Sequence, residues 1–452
     1  MLTACAVGPD YKRPQVPAPA QYRFVDGQAE AQSMADLPWW QVFGDPTLQV
    51  LVREAVTNNL DVRVALARVE AARARAGIAK SFLYPQVDGV AGYTARQASN
   101  TPVTPENPDG SSVNQSGEYG FRLSWELDVF GRLRRQNEAA YAIFLATEQA
   151  RRGVLVTLVG DVSTSYFLLR ELDVQLQIAH NTLQLNDETV AYFRNRLEGG
   201  VSNRLELDQA IANRSQTAAA IPQLESQIAV VENAISMLLG RTPGPIARDA
   251  PALPALPPAI PAGLPTTLLE RRPDVVAAEE LLVAANADVG AAKALFFPSI
   301  SLTGFFGGVS GDLTTFLGGE GAVWSIGAGL LQPVYNAGRN RRNYEAAQAD
   351  YTAAVAEYQK AALNGYREVA NALITIQKLA EVRVELESGV SVLQDASDLS
   401  RSRYDTGLAS YIEILLADQT LFRQQLLLAQ TRGAEFRARA ELYRALGGGW
   451  QQ

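Results

Sequence analysis

An internal repeat constrains the fold of this chain most, because self-similarity at a fixed spacing means that one structural unit is built twice. Before a variable loop, the matching positions lie 213 residues apart: Asp61 and Asp274, Gly77 and Gly290, Lys80 and Lys293, Tyr84 and Phe297, Pro85 and Pro298. After the loop, they lie 207 residues apart: Gly131 and Gly338, Arg132 and Arg339, Gly200 and Gly407, Glu206 and Glu413, Gly240 and Gly447. The sequence therefore predicts an N-terminal extended segment (1–45), repeat 1 (46–240), a Pro-rich linker (241–265) and repeat 2 (266–452).

Each repeat is predicted to run helix, strand, loop, strand, long helix, tight turn, helix. The first helix is expected over residues 46–84 and ends before Pro85. The clearest strand follows at 119–129, where apolar residues alternate with Gly120, Arg122, Ser124, Glu126 and Asp128. One such strand is typical of an ordinary half-exposed sheet. Four of them, placed identically in two repeats, favour strands that cross a bilayer with one face toward water.

The long helix of repeat 1 is predicted over residues 133–197, a length of roughly 100 Å at 1.5 Å per residue. Its second part has apolar or small residues spaced alternately four and three apart, which is a coiled-coil seam. The seam residues are Leu172, Leu176, Ala179, Leu183, Asn186, Val190, Phe193 and Leu197. The returning helix has the same pattern at Leu224, Ile228, Val231, Ile235 and Leu238. Two antiparallel hairpins per chain follow, although one seam alone would also fit a simple helical bundle.

The turn of each hairpin is rich in glycine, at Gly199-Gly200-Val201-Ser202 and at Thr406-Gly407-Leu408-Ala409-Ser410. Glycine supplies the left-handed residue that ends a helix. The pairs Asn203 with Glu206 and Ser410 with Glu413 have the spacing of a helix N-cap and its third residue. A capping pair explains these four residues without any function.

The composition excludes several functional classes. The chain has 48 acidic and 40 basic residues, a net charge of −8, and so no broad basic surface for nucleic acid. One histidine, His180, and one cysteine remove the usual residue sets for a metal site or a Cys-His pair. We therefore expect no catalytic residues, no metal and no cofactor. No run of about 18 apolar residues appears, so a transmembrane helix is not expected.

The cysteine, Cys5, follows Leu2-Thr3-Ala4, which reads as the end of a bacterial lipobox. The basic and apolar parts of a signal peptide do not precede it in this sequence, and we expect them upstream. Pro14, Pro17 and Pro19 then favour an extended tether that leaves a membrane. Cys5 is the predicted lipid anchor.

Several short motifs together resemble the lipoprotein branch of the TolC-type outer-membrane efflux factors, over residues 5–450. They are Cys5 to Tyr11, Trp39-Trp40 with Asp45-Pro46, Trp125 to Asp128 with Phe130-Gly131-Arg132, Arg271 to Asp274, Phe296-Phe297-Pro298 and Leu446 to Trp450. The resemblance implies an α+β membrane protein. Its trimer forms a 12-stranded outer-membrane β-barrel, four strands per chain, which continues into a long periplasmic α-helical barrel.

The same resemblance implies the partners and the site. The partners are a periplasmic adaptor protein and an inner-membrane pump of the resistance-nodulation-division type. The adaptor would contact the hairpin tips, at Gly200, Val201, Ser202, Gly407, Leu408, Ala409 and Ser410. Candidate gate acids are Glu206, Asp208, Glu413 and Asp418. Leu415-Leu416-Ala417 displaces Asp418 by one or two positions from the family pattern, so a solvated helix face is an equal interpretation.

Two other functional classes remain open from the residues alone. One is a soluble coiled-coil adaptor or scaffold, which leaves the four strands with aromatic outer faces unexplained. The other is an enzyme in the loops, whose chemistry would have to use carboxylate pairs because histidine and cysteine are scarce. An outer-membrane channel that conducts drugs or other small molecules accounts for both the strands and the long hairpins.

Overall fold

The computed structural model describes residues 6–24, 44–97, 113–249, 253, 265–311 and 321–448. Repeat 1 contains α1 (Pro46–Asn58), α2 (Leu60–Ser81), β1 (Gln86–Gln97), β2 (Val113–Leu127), α3 (Arg132–Glu198) and α4 (Arg204–Leu238). Repeat 2 contains α5 (Pro265–Arg271), α6 (Pro273–Ala294), β3 (Ser299–Ser310), β4 (Ala322–Leu331), α7 (Arg339–Asp405) and α8 (Tyr411–Ala445). Cys5, Trp39, Trp40 and Trp450, which the sequence analysis singled out, lie outside the described residues.

The two repeats match element by element. The long helices α3 and α7 each have 67 residues, and the returning helices α4 and α8 each have 35. We call α3 with α4 hairpin 1, and α7 with α8 hairpin 2. The predicted internal repeat is therefore confirmed, and its order of elements is confirmed from the first strand of each repeat onward.

The prediction of a single helix over residues 46–84 is wrong, because the chain forms two helices with a break at Asn59. The Asn59 side-chain Oδ1 accepts hydrogen bonds from the main-chain N–H groups of Asp61, at 2.8 Å, and Val62, at 3.1 Å. Asparagine is a preferred N-cap because its side chain satisfies these orphan donors. The second helix then ends at Ser81, four residues before Pro85.

Contacts within the chain divide it into two compact units, each made from pieces of both repeats. Unit 1 comprises residues 1–15, 68–148 and 277–358, and unit 2 comprises residues 16–67, 149–276 and 359–452. These units group the residues differently from the predicted domain boundaries, which stay predictions.

In unit 1, the four strands form one antiparallel sheet in the order β1-β2-β3-β4. Asp88 is opposite Arg122, Arg122 is opposite Phe305, and Phe305 is opposite Ser325. β1 and β4 are the edges of this sheet. The predicted strand at 119–129 starts earlier, at Val113, and ends at Leu127.

The N-terminal residues of unit 1 pack on helices from both repeats. Asp10 accepts a hydrogen bond from Arg135 at 2.8 Å, and the Tyr11 hydroxyl donates to Glu279 at 3.1 Å. Gly8 lies so close to Gly290 that a Cβ on Gly8 would be 2.5 Å from the Gly290 Cα. These contacts hold the extended segment in place from its first described residues onward.

In unit 2, one apolar core joins the middle parts of both hairpins. Phe167 of α3 and Phe436 of α8 stack with their ring centroids 4.8 Å apart, and both are almost fully buried. Arg272, also buried, donates hydrogen bonds to Asp274, to Glu368 and to the main-chain oxygen of Ala445. Among the described residues, α3 is long and apolar enough to cross a membrane by length and composition, but more than half of its apolar window is buried, as in a core helix.

The coiled-coil seam of hairpin 1 is confirmed. Leu172, Ala179, Asn186 and Phe193, which are seven residues apart, are all buried, and the seam positions between them are half-buried. Leu224, Ile228 and Ile235 are the buried positions of the same stripe on α4. Knob-and-hole spacing of this kind keeps two helices in contact over many turns.

Candidate functional sites in the sheet and at the hairpin tips

The register of the sheet in unit 1 separates its two faces by polarity. One face carries apolar side chains on all four strands: Val87, Tyr93, Tyr119, Phe121, Leu123, Trp125, Ile300, Leu302, Phe306, Trp324, Ile326 and Leu330. The opposite face carries the charged and hydroxyl side chains Asp88, Glu118, Arg122, Ser124, Glu126, Ser301, Thr303 and Ser325, together with the apolar Val90, Phe305, Val309, Val323 and Leu331. A one-residue slip would exchange the faces, so the register is what keeps them separate.

The apolar face is exposed to a degree that soluble proteins avoid. Phe121 is 61% exposed, Phe306 70%, Trp324 74% and Ile326 82%. Soluble monomers rarely expose a contiguous apolar patch of this kind, whereas strands that face lipid require one. The charged side chains of the other face need water, and Arg122 and Glu118 form an ion pair there at 3.4 Å.

Both hairpins in unit 2 turn through the same glycine geometry. Gly200 has φ of 74° and Gly407 has φ of 79°, which is the left-handed region. The next residue's N–H reaches back to the last helical turn, from Val201 to the Arg196 oxygen and from Leu408 to the Arg403 oxygen, each at 2.9 Å. This pattern is the Schellman motif, and the predicted glycine C-caps are confirmed.

The tips present an apolar residue at matched positions, since Val201 is 64% and Leu408 72% exposed. Each lies directly after its turn glycine. At neither glycine would an added Cβ meet another atom within 4 Å, so both turns have open space beside them. The predicted adaptor-contact residues therefore lie on exposed turns, and their role stays a prediction.

The two predicted capping pairs differ. In hairpin 1, the Asn203 side chain accepts a hydrogen bond from the Glu206 N–H at 3.0 Å, as expected of an N-cap. In hairpin 2, Ser410 makes no side-chain capping bond, and only its main-chain oxygen receives the Glu413 N–H, at 3.1 Å. Ser410 is therefore at the predicted N-cap position of α8, but without the side-chain bond of a capping box, and Glu413 lies 3.5 Å from Arg403.

The four candidate gate acids have different surroundings. Glu206 accepts a hydrogen bond from the Ser202 hydroxyl at 2.5 Å, and Asp208 forms an exposed ion pair with Arg204 at 3.5 Å. Asp418, in contrast, is largely buried and bonds both Ser397, at 2.5 Å, and Arg401, at 2.6 Å. Burial raises the pKa of the Asp418 carboxyl, while Ser397 and Arg401 oppose that rise. A gate role for these four acids stays a prediction.

An aromatic cluster joins the tips of the two hairpins, and the sequence analysis missed it. Phe193 of α3 is almost fully buried against Tyr411 of α8, with ring centroids 4.4 Å apart, and against Tyr404 of α7, at 5.7 Å. The signal in the sequence is that four aromatic residues, Tyr192, Phe193, Tyr404 and Tyr411, fall within three helical turns of the predicted tips.

Polar bonds hold the same cluster at its surface. The Tyr192 hydroxyl donates to Asp405 Oδ1 at 3.1 Å, which links α3 to α7 across 213 positions of the sequence. Arg196 donates to the Tyr192 hydroxyl at 2.9 Å, and its guanidinium lies 5.4 Å and 5.5 Å from the centroids of the Tyr192 and Tyr404 rings. The hydrogen bond from Tyr192 to Asp405 is called the tip bond below.

Further from the tip, a buried polar network lies in the seam of hairpin 1. Asn186 donates to Thr217 at 2.9 Å and accepts from Asn213 at 3.0 Å. Gln419 of hairpin 2 donates to Asn213 at 3.1 Å. Buried asparagine in a seam specifies register, because a shifted helix would leave it without partners.

These features define a class of protein: a membrane β-sheet with one lipid-facing side, continued in each repeat by a long helical hairpin. Comparison with known proteins gives the family. Residues 51–241 and 264–448 match the family described as "Outer membrane efflux protein". The chain belongs to this family.

Relatives match over the full length. The chain is 34% identical over 456 residues to the "Cation efflux system protein CusC" of Escherichia coli O6:H1, covering 100% of this chain and 97% of that protein. It is 35% identical over 464 residues to the "Solvent efflux pump outer membrane protein SrpC" of Pseudomonas putida, covering 100% and 96%. The solved structure of "the outer-membrane channel OprN" superposes with a TM-score of 0.91 at 32% identity, covering 99% of this chain and 100% of that one.

The predicted family, fold class, function as an outer-membrane efflux channel and location in the outer membrane are thereby confirmed. The relatives are channels, which sets aside the alternative of a soluble coiled-coil adaptor.

Proposed function

We propose that this chain, as a homotrimer, is the exit duct of a tripartite efflux pump and conducts small molecules passively from the periplasm to the exterior. The duct performs no covalent chemistry. The observation that carries the proposal is the four-stranded sheet with an exposed apolar face and a charged opposite face, which fits between lipid and a water-filled lumen. Its partners are a periplasmic adaptor and an inner-membrane pump of the resistance-nodulation-division type.

The edges of the sheet support an assembly of several copies of the chain. A sheet in lipid cannot leave an edge unpaired, and β1 and β4 are edges that four strands cannot close on each other. Two, three or four copies would give about 8, 12 or 16 strands, and an eight-stranded barrel is filled by its own side chains. The choice of three over four copies follows the family resemblance.

The copy number is measured by the mass of the detergent-solubilised complex, corrected for bound detergent. We expect three times the chain mass of 48.8 kDa. A stable monomer or tetramer would contradict the trimer.

We propose that the duct is closed at the hairpin tips and opens when the adaptor docks there. Opening is a population shift, so the adaptor must contact the open state better than the closed one. The tip bond and the aromatic cluster around Phe193 join the two hairpins and favour the closed state. Glu206, Asp208, Glu413 and Asp418 are the proposed acids of the constriction.

Adaptor docking is tested at Gly407, where an added side chain enters open space. Gly407→Ala and Gly407→Trp share the same backbone strain, roughly 1 kcal/mol, which is too little to unfold a trimer. Only the tryptophan changes the shape of the docking turn. Drug export measured in a deletion strain is expected to survive in Gly407→Ala and fail in Gly407→Trp. Normal export by Gly407→Trp at equal expression would argue against docking at this turn.

We propose Cys5 as the acylated residue. Val7, two residues later, donates its N–H to the Phe130 main-chain oxygen at 3.0 Å, three residues after the end of β2. An acyl chain anchors a protein by burying CH₂ groups in the membrane, at about 0.8 kcal/mol each. Intact-protein mass should show the lipid on the native chain and not on Cys5→Ser, which should fold but bind membranes less. Absence of acyl mass from the native chain would exclude the anchor.

The cargo is proposed only as small molecules. One relative is named for cations and another for solvents, so the shared architecture serves different cargo.

A further inference from the structure

A cavity of about 300 Å³ lies beside the aromatic cluster at the hairpin tips. Its walls include four aromatic rings and two carboxylates: Tyr192, Phe193, Tyr404, Tyr411, Glu188 and Asp405. The volume is at the lower limit of small-molecule sites. We propose that this cavity binds a small hydrophobic organic cation, of the quaternary ammonium class. The inference goes beyond the proposed function, because binding here requires neither conduction nor docking.

The rings form firm walls rather than flexible ones. Phe193 and Tyr411 are 1% and 3% exposed, and they pack edge to face at 4.4 Å. Burial and the Asp418 carboxylate raise the pKa of Tyr411 to about 12, and burial with the Glu206 carboxylate raises the pKa of Tyr404. Both phenols are therefore neutral at physiological pH, and their ring faces can attract a cation.

Two of the rings that line the cavity already contact a cation, the Arg196 side chain, which itself lies outside the cavity lining. The Arg196 guanidinium lies over both Tyr192 and Tyr404, within the distance of about 6 Å at which a cation and a ring attract. Arg196 has no carboxylate within ion-pair distance among the described residues. Its charge is stabilised by the two rings, by the Tyr192 hydroxyl, by the Val201 main-chain oxygen and, at longer range, by the Glu206 carboxylate.

The charges favour a cation over an anion or a neutral ligand. Glu188 accepts a hydrogen bond from Gln184 and Asp405 accepts one from Tyr192, and within the described part of the chain neither forms an ion pair. Arg401 also lines the cavity, but Asp418 neutralises it at 2.6 Å. Among the lining residues, two carboxylates, Glu188 and Asp405, face one guanidinium group, Arg401, which leaves an excess negative charge.

The test is direct binding of tetraethylammonium to the detergent-solubilised protein, by isothermal titration calorimetry, with potassium chloride keeping the ionic strength constant. Tyr404→Leu removes a ring and Glu188→Gln removes a charge. Each is expected to weaken binding about fivefold, as expected for one cation–ring or charge contact. Glu225→Gln, which neutralises an exposed carboxylate outside the cavity, is the matched control and should leave the affinity unchanged.

An uncharged alcohol of similar shape, 3-ethylpentan-3-ol, separates a cation site from a merely apolar one, and it should bind more weakly than tetraethylammonium. Absence of saturable binding would overturn the proposal. Unchanged affinity in both variants, or equal binding of the alcohol, would also overturn it. Gel filtration checks folding; if Tyr404→Leu fails to fold, the exposed Glu188→Gln decides the outcome. Because the experiment measures binding, its outcome does not depend on channel activity.

Discussion

Hairpin 1 and hairpin 2 have helices of equal length and turns of equal geometry, yet they are stabilised near the tip by different chemistry. Hairpin 1 uses a side-chain N-cap at Asn203 and a buried amide network around Asn213. Hairpin 2 has no side-chain N-cap and contributes only Gln419 to that network; it uses the largely buried carboxylate of Asp418 with Arg401. A repeated backbone therefore fixes the shape of the two tips, while their side chains set how firmly each is held.

The largest expected difference concerns Asp418 of hairpin 2 and Asp208 of hairpin 1. Asp418→Leu leaves Arg401 and Ser397 without their buried partner. It should lower the free energy of local opening by about 2 kcal/mol, which is less than for a fully buried pair because Arg401 is partly exposed. Asp208→Leu removes an exposed pair and should cost less than about 0.5 kcal/mol. Local opening energies from amide hydrogen exchange measure both. Equal costs would mean that burial does not distinguish these acids.

The amide network gives the second comparison. Asn213→Ala leaves Asn186 and Gln419 each lacking a partner and should cost about 1.5 kcal/mol. Thr420 occupies the matching position of repeat 2 and bonds only to Leu416 of its own helix. Thr420→Ala should change the free energy of local opening by less than about 0.5 kcal/mol. A similar loss in both variants would show that the network adds nothing specific to hairpin 1.

The N-cap positions of α4 and α8 are expected to give a smaller difference in helix stability. Asn203→Ala removes a capping bond and should destabilise α4 by about 1 kcal/mol, whereas Ser410→Ala removes none and should be nearly neutral. Exchange of the first-turn amides of α4 and α8 reports each cap separately. A cost at Ser410 as large as that at Asn203 would indicate a capping bond in solution.

The smallest expected effect is the pH dependence of Asp418. Its pKa is raised in the folded chain, so the folded state binds the proton more tightly than the unfolded state. The contribution to stability therefore rises as pH falls through the folded pKa, down to the unfolded value. Asp418→Asn, which resembles the protonated acid, should remove this slope and cost less than about 1 kcal/mol at neutral pH. An unchanged slope in that variant would assign the pH dependence to another group.

Local sequence patterns predicted the long helices and the two glycine turns, because each depends on residues close together in the chain. The seam of hairpin 1 is a further example, since seven-residue spacing alone placed Phe193 in it. The repeat was predicted from self-similarity at a fixed spacing. The break at Asn59 was missed because an apolar stripe continues on both sides, and the cap depends on one side-chain rotamer.

Local sequence patterns could not predict the contacts between the two hairpins. The tip bond joins Tyr192 to Asp405, and the repeat spacing identifies equivalent positions without indicating which residues of the two hairpins touch. The burial of Asp418 likewise depends on α7 beside it, so its sequence neighbours suggested only a displaced acid on a helix face. Such contacts come from tertiary packing and need a structure.

The most direct test of the account is the conductance of the purified protein in planar lipid bilayers, compared with Asp405→Ala, which removes the tip bond. A closed tip predicts low, brief conductance for the native protein and a larger, more often open conductance for the variant. A native channel that is already fully open, or a variant with the same low conductance, would contradict closure by contacts between the two hairpins.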